Sequence, residues 1–429
     1  MNEEIGRLED LEEDARALLI GVYFSTKEKD ISYRHLDELE LLGDTFGFQT
    51  VEKSSFPIKR IESSTYLGKG KIEYLIDYCK ENKIDIVVFD EEISPHQQRN
   101  LEKSLKITVI DRTELILGVF AKHAKTKESK IQIDLAEFRY QLPRLKRMWT
   151  HLSRQRTGGG KGGYLKGEGE RQIEIDKRIL KRKISKLSKE LVEIKKQREL
   201  QRSLRKKNNI PTFAIIGYTN AGKSTLLKAL TDADVLIEDK LFATLDTTTK
   251  KYKLPNGQDI LLIDTVGFIR KLPHMLVAAF KSTLEEASLA DILLHVVDTT
   301  DNDVEEHIDA TFQVLKELDA DKLPMINCLN KIDEDNTTVI NKLKIKLSKT
   351  VLISAKTKKG FSTLEEMMEK QIAKLRKIVS LKIPQSYYSL ACELMREGKV
   401  ISCDYEENDI LLKIEIPSTL ENKVERFII

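Results

Sequence analysis

The segment most able to do chemistry is a glycine-rich octapeptide that fits the pattern Gly-x4-Gly-Lys-Ser. Its residues are Gly217, Tyr218, Thr219, Asn220, Ala221, Gly222, Lys223 and Ser224. It follows an apolar run at 213–216 and precedes a helical pattern at 225–230, the strand–loop–helix context in which this pattern holds phosphate. The glycines let backbone N–H groups point at a phosphate chain, Lys223 can reach the β- and γ-phosphates, and the Ser224 hydroxyl can ligate Mg²⁺. The segment therefore predicts a nucleoside triphosphate site.

Three shorter motifs follow at the ends of predicted strands, in the order that a guanine-nucleotide domain requires. Their residues are Asp264, Thr265, Val266 and Gly267; Asn330, Lys331, Ile332 and Asp333; and Ser354, Ala355 and Lys356. We expect the Asp264 carboxylate to hold the Mg²⁺ shell and the Gly267 amide to sense the γ-phosphate. Asp333 can accept guanine N1–H and N2–H₂ together, a pairing that adenine does not offer. The Ala355 amide is expected to face guanine O6, so the four motifs together predict a GTP site.

A segment between the first two motifs is predicted to change with the nucleotide. The residues that we expect to line the site there are Phe242, Ala243, Thr244, Leu245 and Asp246. A threonine in such a segment ligates Mg²⁺ in the triphosphate state and is released on hydrolysis. We predict Thr244 for this role, with Thr247 and Thr248 as alternatives, because spacing alone does not separate them. The predicted metal ligands are thus Ser224 and Thr244, and the residues predicted to support hydrolysis are Lys223, Thr244 and Gly267.

A strongly basic block precedes the phosphate motif. Residues 144–207 contain 22 Lys and Arg against 7 Asp and Glu, a local charge of +15, so the rest of the chain carries −12 within the overall +3. A basic block in an otherwise acidic protein favours a polyanionic partner, although a solvated helix face is the simpler alternative. The glycine-rich stretch at 157–170 adds backbone that can approach phosphates closely, which predicts RNA or phosphate contact there.

Composition bounds the class of protein. The 429 residues allow about three domains, and 40% hydrophobic with 33% charged residues exclude bulk disorder. The four cysteines form no Cys-x-x-Cys pair, so neither a zinc site nor a disulfide framework is indicated. The first 16 residues are acidic, and the apolar run near the N-terminus is far shorter than a membrane span. We therefore expect a cytosolic protein without a membrane span.

The elements that must position these motifs predict an α/β multidomain chain. We expect an N-terminal α/β domain at 1–112, a long antiparallel helical hairpin with a basic glycine-rich tip at 113–208, a P-loop GTPase domain with a doubly wound sheet at 209–375, and a small C-terminal α+β domain at 376–429. The hairpin follows from apolar residues that recur at close to 3.5-residue spacing on both sides of the glycine-rich break.

Finer boundaries are predicted in three places. The N-terminal domain has strands near 18–24, 84–89 and 107–110, and a helix that ends at Gly43. The break at 157–169 is not expected to be helical. The glycine-containing turn at 66–71 opens a helix and could hold phosphate or be a simple connector.

The chain resembles the HflX-type GTPases, a ribosome-associated group of the translation-factor-related P-loop GTPases. The resemblance covers nearly the whole chain and rests on residues 66–71, 111–113, 142–145, 152–155, 169–170, 242–246 and 264–268. It implies a bacterial-type cytosolic GTPase, expected to be a monomer, that uses GTP, GDP and Mg²⁺. It further implies binding to the large ribosomal subunit, separation of stalled or idle ribosomes, and faster hydrolysis on the ribosome. The hairpin tip at 157–170 would reach ribosomal RNA near the catalytic centre of that subunit.

The sequence departs from the family pattern at the tip and after Asp246. The family tip usually reads Gly-Pro-Gly-Glu where residues 167–170 are Gly-Glu-Gly-Glu, and 161–166 lengthen the tip. The family's usual Asp-Pro-Thr becomes Asp-Thr-Thr at 246–248.

Position 268 is a phenylalanine where many GTPases place a glutamine that orients water. We therefore expect slow intrinsic turnover, with the missing element supplied by the ribosome or by K⁺. Asn220 occupies the position of an asparagine ligand in related potassium-dependent GTPases. A bound K⁺ would add positive charge beside the phosphates, as an arginine finger does. The alternative is that Asn220 only caps the loop.

Other function classes remain open at this point. A P-loop ATPase or kinase would lack the guanine preference that Asp333 predicts. A GTP-dependent ribosome-assembly factor, in which GTP is structural, would not turn over repeatedly. A GTPase that acts in other RNA processing fits the basic block equally well, and only the family resemblance argues against it.

Overall fold

This computed structural model describes residues 14–145, 165–207, 210–231, 241–242, 245–272, 286–334, 336–406, 408–417 and 420–429. The chain divides into two compact units. The first takes in the described residues of Met1–Glu193, Glu238–Asp246 and Lys271–Lys281, and the second those of Ile194–Ile237, Thr247–Arg270 and Ser282–Ile429.

The first unit contains a four-stranded parallel sheet of order β2-β1-β3-β4. Its strands are β1 (Arg16–Tyr23), β2 (Gln49–Pro57), β3 (Ile86–Phe89) and β4 (Thr108–Asp111). The helices of its α/β part and of the segment after it are α1 (Lys29–Phe46), α2 (Lys69–Glu81), α3 (Pro95–Leu105), α4 (Arg112–His123) and α5 (Lys127–Gln141). Strands β3 and β4 are buried along their whole length, as expected in a parallel sheet whose faces are covered by helices. This confirms the predicted N-terminal α/β architecture.

Helix α1 is longer than predicted. Its apolar positions Leu36, Leu39 and Leu42 are fully buried, as the helical spacing indicates. The prediction that the helix ends at Gly43 is wrong, because the residue that adopts a left-handed conformation is Gly47, at φ 106°, whose amide donates to the carbonyls of Gly43 and Asp44. A glycine after the last helical turn is the usual way to satisfy these carbonyls. The edge strand β2 was not predicted from the sequence.

The helical region contains α5 and the long helix α6 (Leu165–Lys207). After α5, Leu142–Arg144 forms a 3₁₀ turn. The Lys183 ammonium of α6 lies 5.1 Å from the ring centroid of Phe138 on α5, so these helices contact each other. The prediction that no part of 157–169 is helical is wrong for its last residues, because α6 begins at Leu165. A helical glycine costs only about 1 kcal/mol relative to alanine, which a long helix can offset. Residues 146–164, most of the predicted tip, lie outside the described residues.

The second unit contains a six-stranded sheet of order β10-β9-β8-β5-β7-β6, parallel except for the antiparallel edge strand β6. Its strands are β5 (Thr212–Gly217), β6 (Thr248–Lys253), β7 (Asp259–Asp264), β8 (Ile292–Asp298), β9 (Met325–Asn330) and β10 (Thr350–Leu352). The helices of this part are α7 (Lys223–Thr231), α8 (Val304–Glu317), α9 (Thr337–Lys346) and α10 (Phe361–Leu375). Each nucleotide motif follows the carboxyl end of a parallel strand, which is where open α/β sheets bind ligands.

The C-terminal part is a three-stranded antiparallel sheet of order β11-β13-β12. Its elements are β11 (Arg376–Pro384), α11 (Tyr388–Glu397), β12 (Lys399–Glu406), β13 (Asp409–Pro417) and α12 (Glu421–Val424). The sequence pattern of residues 381–429 predicts a strand, a helix, two strands and a helix, and the structure has this order. Among the described residues, no helix is both long enough and apolar enough to span a membrane.

Candidate nucleotide-binding site

Two glycines of the phosphate loop occupy positions that exclude other residues. Gly217 has φ 145°, and a Cβ added there would lie 2.3 Å from the Val296 carbonyl oxygen. Gly222 has φ 92°, and its added Cβ would lie 2.4 Å from Asn330 Nδ2. Asn220 is also left-handed, at φ 58°, a conformation that asparagine tolerates better than most residues. The loop therefore has the backbone that a Gly-x4-Gly phosphate loop requires.

Lys223 lies at the first position of α7 and is buried, with 6% of its surface exposed. Its Nζ donates to the Tyr218 carbonyl oxygen at 2.6 Å. Burial lowers the pKa of Lys223 to about 8, and the Asp264 carboxylate opposes part of this shift. A buried ammonium bonded to a neutral carbonyl gains from a phosphate that supplies negative charge. Lys223 is therefore suited to the phosphate role that the sequence predicts.

Ser224 and Asp264 come together although they are 40 positions apart. The Ser224 hydroxyl donates to Asp264 Oδ2 at 2.7 Å, and Asp264 is fully buried at the end of β7. A hydroxyl and a carboxylate are the hard oxygen donors that Mg²⁺ prefers. These two residues fit a magnesium site, and Thr244, the other predicted metal ligand, lies outside the described residues together with Ala243.

Gly267 packs directly on the phosphate loop. A Cβ added at Gly267 would lie 2.8 Å from Thr219 Cγ2, 2.9 Å from Thr219 Cα and 2.9 Å from Lys223 Nζ. The next residue, Phe268, is fully buried, and its backbone donates to the Gly217 carbonyl and accepts from the Thr219 amide. The segment after Asp264 is thus held against the loop by backbone bonds. Thr265 and Val266, which lie between Asp264 and Gly267, are both buried, and Thr265 Oγ1 donates to the Ile215 carbonyl.

Asn330 connects three of the four motifs. Its Nδ2 donates to the Ala221 carbonyl of the phosphate loop at 2.9 Å, and its Oδ1 accepts from the Ala355 amide at 2.9 Å. The side chain is buried, with 2% exposed. The Ala355 amide, expected to face guanine O6, therefore bonds Asn330 in this structure. Asn330 therefore links the two motifs that are predicted to bind the base with the phosphate loop.

Asp333 is exposed and lies close to the side chains of Ser354 and Lys356. A hydrogen bond from the Ser354 side chain is the main cause that lowers the pKa of Asp333, so this carboxyl is ionised at neutral pH. An ionised carboxylate can accept two N–H groups of a base edge. Lys331 is held in a left-handed conformation at φ 66° and pairs with Asp298 at 2.6 Å, while the Ile332 amide donates to the Ile353 carbonyl.

We call residues 242–246 the switch segment. Its described residues lie in the first unit, where they contact α4 and the start of α5. Phe242 is buried and packs edge-on against Phe120 with ring centroids 4.5 Å apart, and Leu245 is also buried. The Asp246 carboxylate accepts from the backbone amides of Lys125 and Thr126 and from the hydroxyls of Thr126 and Ser129.

These bonds place the Asp246 carboxylate at the N-terminus of α5, where a negative charge is favourable. Burial opposes ionisation of Asp246, but the hydrogen bonds from Ser129 and Thr126 outweigh it and lower the pKa. Of the alternative metal ligands, Thr248 begins β6 and Thr247 precedes it.

The structure also brings together residues that the motifs do not indicate. The Tyr218 ring stacks on His307 at a centroid distance of 3.6 Å and an interplanar angle of 10°. The Tyr218 hydroxyl accepts from the Arg270 amide at 2.7 Å, and His307 Nδ1 lies 3.3 Å from Asp301. Tyr218 thereby connects the phosphate loop with the segment after Gly267. His307 belongs to no motif and lies on α8, so the sequence contains no signal for this contact.

Three family descriptions match consecutive parts of the chain. Residues 33–121 match the GTP-binding GTPase N-terminal family, and residues 123–205 match the GTP-binding GTPase Middle Region. Residues 212–331 match the 50S ribosome-binding GTPase family.

Several curated relatives are similar over nearly the full length. A protein from Chlamydia pneumoniae called GTPase HflX is 46% identical over 419 residues, 97% of this chain and 89% of that protein. A GTPase HflX from Caldanaerobacter subterraneus subsp. tengcongensis is 42% identical over 423 residues, 98% of this chain and 96% of that protein. One from Escherichia coli is 41% identical over 364 residues, 83% of this chain and 84% of that protein.

A crystal structure of a GTP-binding protein from Sulfolobus solfataricus in complex with GDP is 27% identical. The similarity covers 84% of this chain and 99% of that chain, with a TM-score of 0.43.

Proposed function

Because this chain belongs to the HflX family of GTPases and hydrolyses GTP to GDP and phosphate, we propose that it binds the large ribosomal subunit and separates stalled or idle ribosomes. In this proposal GTP favours ribosome binding, and the ribosome stimulates hydrolysis. The protein acts in the cytoplasm as a monomer. The observation that carries the proposal is the basic surface of α6 in a chain whose remainder is acidic.

Most of the basic side chains that the structure describes on α6 face solvent. Those that are exposed in the described part of the helix are Lys177, Arg178, Lys181, Arg182, Lys183, Lys186, Lys189 and Lys196. Apolar residues on the same helix are largely only half-buried, as at Ile184, Leu187 and Leu191. A long helix that presents cations along its exposed surface suits the phosphate backbone of an RNA, whose binding releases counterions. This supports ribosomal RNA as the partner, with the segment 157–170 making the deepest contact.

The nucleotide site is proposed to work as the four motifs indicate. Lys223 binds the β- and γ-phosphates and Asp333 selects guanine. Ser224 and Thr244 would hold Mg²⁺, with Asp264 hydrogen-bonded to Ser224. Mg²⁺ bound there would supply positive charge to the phosphate oxygens. The Gly267 amide detects the γ-phosphate. We propose the four-domain division at 112, 208 and 375 as the arrangement in which these parts act.

The contacts of the switch segment suggest how the nucleotide state reaches the helical region. Asp246 caps α5, and Phe242 packs on α4 through Phe120. Both lie within two residues of Thr244, the residue proposed to bind Mg²⁺ only in the triphosphate state. When Thr244 moves, the cap on α5 and the aromatic contact with α4 must adjust, which biases the helical region between two arrangements.

Co-sedimentation with ribosomal particles tests the proposal. Full-length protein is centrifuged with isolated large subunits and with whole ribosomes in a non-hydrolysable GTP analogue or in GDP. We expect pelleting with large subunits in the analogue, weaker pelleting in GDP, and conversion of whole ribosomes to subunits. Pelleting that ignores the nucleotide, or that favours small subunits, would contradict the proposal.

A charge-reversed pair makes this experiment specific to α6. The variant Lys181→Glu with Arg182→Glu removes two exposed cations from the proposed surface, and Lys342→Glu with Lys344→Glu makes the same change on α9. We expect only the α6 variant to lose binding and to show a weaker salt dependence, since it makes fewer phosphate contacts. Equal loss in both variants would indicate a general effect of charge.

A role for K⁺ is proposed for Asn220, an exposed residue of the phosphate loop with a left-handed backbone. Turnover is compared in KCl and NaCl at equal ionic strength, with and without large subunits. Faster turnover in KCl is expected, and it should disappear in Asn220→Ala. Equal rates in the two salts would leave Asn220 as a residue that only shapes the loop.

A further inference from the structure

The residue after Gly267 does not supply a polar group for hydrolysis. Phe268 has no exposed surface, and its backbone is fixed by two hydrogen bonds to the phosphate loop, from its amide to Gly217 and from the Thr219 amide to its carbonyl. Its side chain is therefore part of the core. A polar group that orients the attacking water has to come from another position.

Thr219 has a buried hydroxyl that makes no hydrogen bond within the described part of the chain. The residue is 7% exposed, and among the residues that the structure describes its Oγ1 has no hydrogen-bond partner. Native proteins pair nearly all of their buried hydroxyls, because an unpaired one loses its bonds to water without compensation. An unpaired hydroxyl inside a ligand-binding loop indicates a partner that arrives with the ligand.

The position of Thr219 indicates which part of the ligand this is. Its Cγ2 and Cα lie 2.8 and 2.9 Å from the point where a Cβ of Gly267 would be, and Lys223 Nζ lies 2.9 Å from the same point. Lys223 and Gly267 are the two groups expected to meet the γ-phosphate. The Thr219 side chain therefore lies at the γ-phosphate end of the loop, away from the base-binding motifs that Asn330 aligns.

We propose that the Thr219 hydroxyl orients the attacking water against the γ-phosphate, the role that Phe268 cannot perform. The hydroxyl accepts a hydrogen bond from the water and donates one to a γ-phosphate oxygen. The water oxygen bonds to the γ-phosphorus as the bond from phosphorus to the bridging oxygen breaks, and GDP leaves with that electron pair. The water proton passes to the phosphate, and Thr219 ends unchanged. The proposal rests on GTP hydrolysis and is independent of ribosome binding.

Two substitutions separate the hydroxyl from the methyl group of Thr219. Thr219→Val keeps the shape that packs on Gly267 and removes the hydroxyl. Thr219→Ser keeps the hydroxyl and removes the methyl. Intrinsic multiple-turnover hydrolysis is measured on the full chain without ribosomes, and GDP affinity is measured by calorimetry, because GDP has no γ-phosphate.

We expect kcat of Thr219→Val to fall about 10²-fold, as when one preorganised hydrogen-bonding group is removed, with little change in KM. GDP affinity should stay unchanged, and Thr219→Ser should recover most of the lost turnover. The melting temperature of nucleotide-free Thr219→Val should rise by about 2–4 °C, because the unpaired hydroxyl is gone. This rise also shows that the variant is folded.

Three results would overturn the proposal. Turnover of Thr219→Val close to that of the unsubstituted chain would show that the hydroxyl is not needed. A fall in GDP affinity in step with kcat would indicate that Thr219 only shapes the loop. Equal loss in the valine and serine variants would assign the effect to the packing of Thr219 on Gly267.

Discussion

The carboxyl edges of the N-terminal sheet and the GTPase sheet both carry buried charges, but the first sheet pairs them with each other. Asp90 follows β3 and binds Arg112 at 2.9 Å, and Asp111 ends β4 and binds Arg144 at 3.2 Å. In the GTPase sheet, Lys223 bonds a neutral carbonyl. Equivalent edges thus serve opposite purposes, because opposite charges that neutralise one another hold a fold together, whereas a buried cation beside a neutral group favours an anionic ligand.

The phosphate loop and the glycine-containing turn at 66–71 also differ, in backbone conformation and in the space around their glycines. In the phosphate loop, Gly217 and Gly222 have positive φ and are crowded on the side where a Cβ would be. In the turn at 66–71, Gly68 is extended at φ −67°, and a Cβ at Gly68 or Gly70 would meet nothing within 4 Å. The Lys71 ammonium donates to the Pro57 carbonyl. These features favour the connector interpretation of 66–71 over a second phosphate site.

The largest effect on nucleotide binding is expected from a substitution of Lys223. Lys223→Ala should weaken GTP and GDP binding by about 10²–10³-fold, because a buried cation that faces the phosphates is lost. Lys228→Ala, an exposed lysine on the same helix, is the matched control and should bind normally. Calorimetry on the full chain measures both. Normal binding by Lys223→Ala would place the nucleotide elsewhere.

The paired charges of the N-terminal sheet are tested by Arg144→Met. This variant leaves Asp111, which has no exposed surface, without its cation, so we expect a loss of about 3–5 kcal/mol in the stability of the first unit. GTP affinity should not change. The control is Arg60→Met, which breaks the exposed pair with Glu62 and should have little effect. Chemical unfolding gives the stability, and a loss of GTP binding in Arg144→Met would contradict the division of roles.

The two kinds of glycine are compared by Gly267→Ala and Gly70→Ala. At Gly267 the added Cβ would crowd Thr219 and Lys223, so the segment must shift, and hydrolysis should fall about 10²-fold. At Gly70, inside α2 with open space around it, alanine should raise stability by about 1 kcal/mol and leave hydrolysis unchanged. GTP hydrolysis rates and chemical unfolding curves are measured for both variants. A hydrolysis rate of Gly267→Ala equal to that of the unsubstituted chain would show that Gly267 has no part in the mechanism.

The smallest effect expected is an opposite response of the two sheets to acid. Burial lowers the pKa of His295 from 6.5 to about 4. Between these two pH values the unfolded chain binds more protons than the folded chain, so the GTPase sheet loses stability as pH falls. Burial raises the pKa of Asp111 from 3.8 to about 6, so the folded chain binds more protons and the N-terminal sheet loses stability as pH rises.

Amide hydrogen exchange resolves the two sheets in one sample. His295→Gln should flatten the pH dependence of the GTPase sheet, and Asp111→Asn that of the N-terminal sheet. The same slope in both sheets, or slopes that the substitutions leave unchanged, would contradict the assignment to these two groups.

The fold was predictable where patterns are local. The α/β alternation, the strands that precede each nucleotide motif and the order of the C-terminal elements follow from hydrophobic periodicity and turn residues. The edge strands β2 and β6 were not predicted, because their largely polar residues do not differ from those of a loop. The end of α1 was misplaced, since two glycines lie near it and only the backbone distinguishes the capping one, Gly47.

The predicted chemistry of the phosphate loop, of the Asn330–Asp333 motif and of the basic block follows from the sequence, because each prediction depends on residue types within a short contiguous stretch. The contacts that support these segments are visible only in the folded chain. Asn330 joins three motifs, Phe268 turns into the core and Asp246 caps α5. These contacts join positions far apart in the chain, and their geometry depends on how strands and helices pack, which no local pattern encodes.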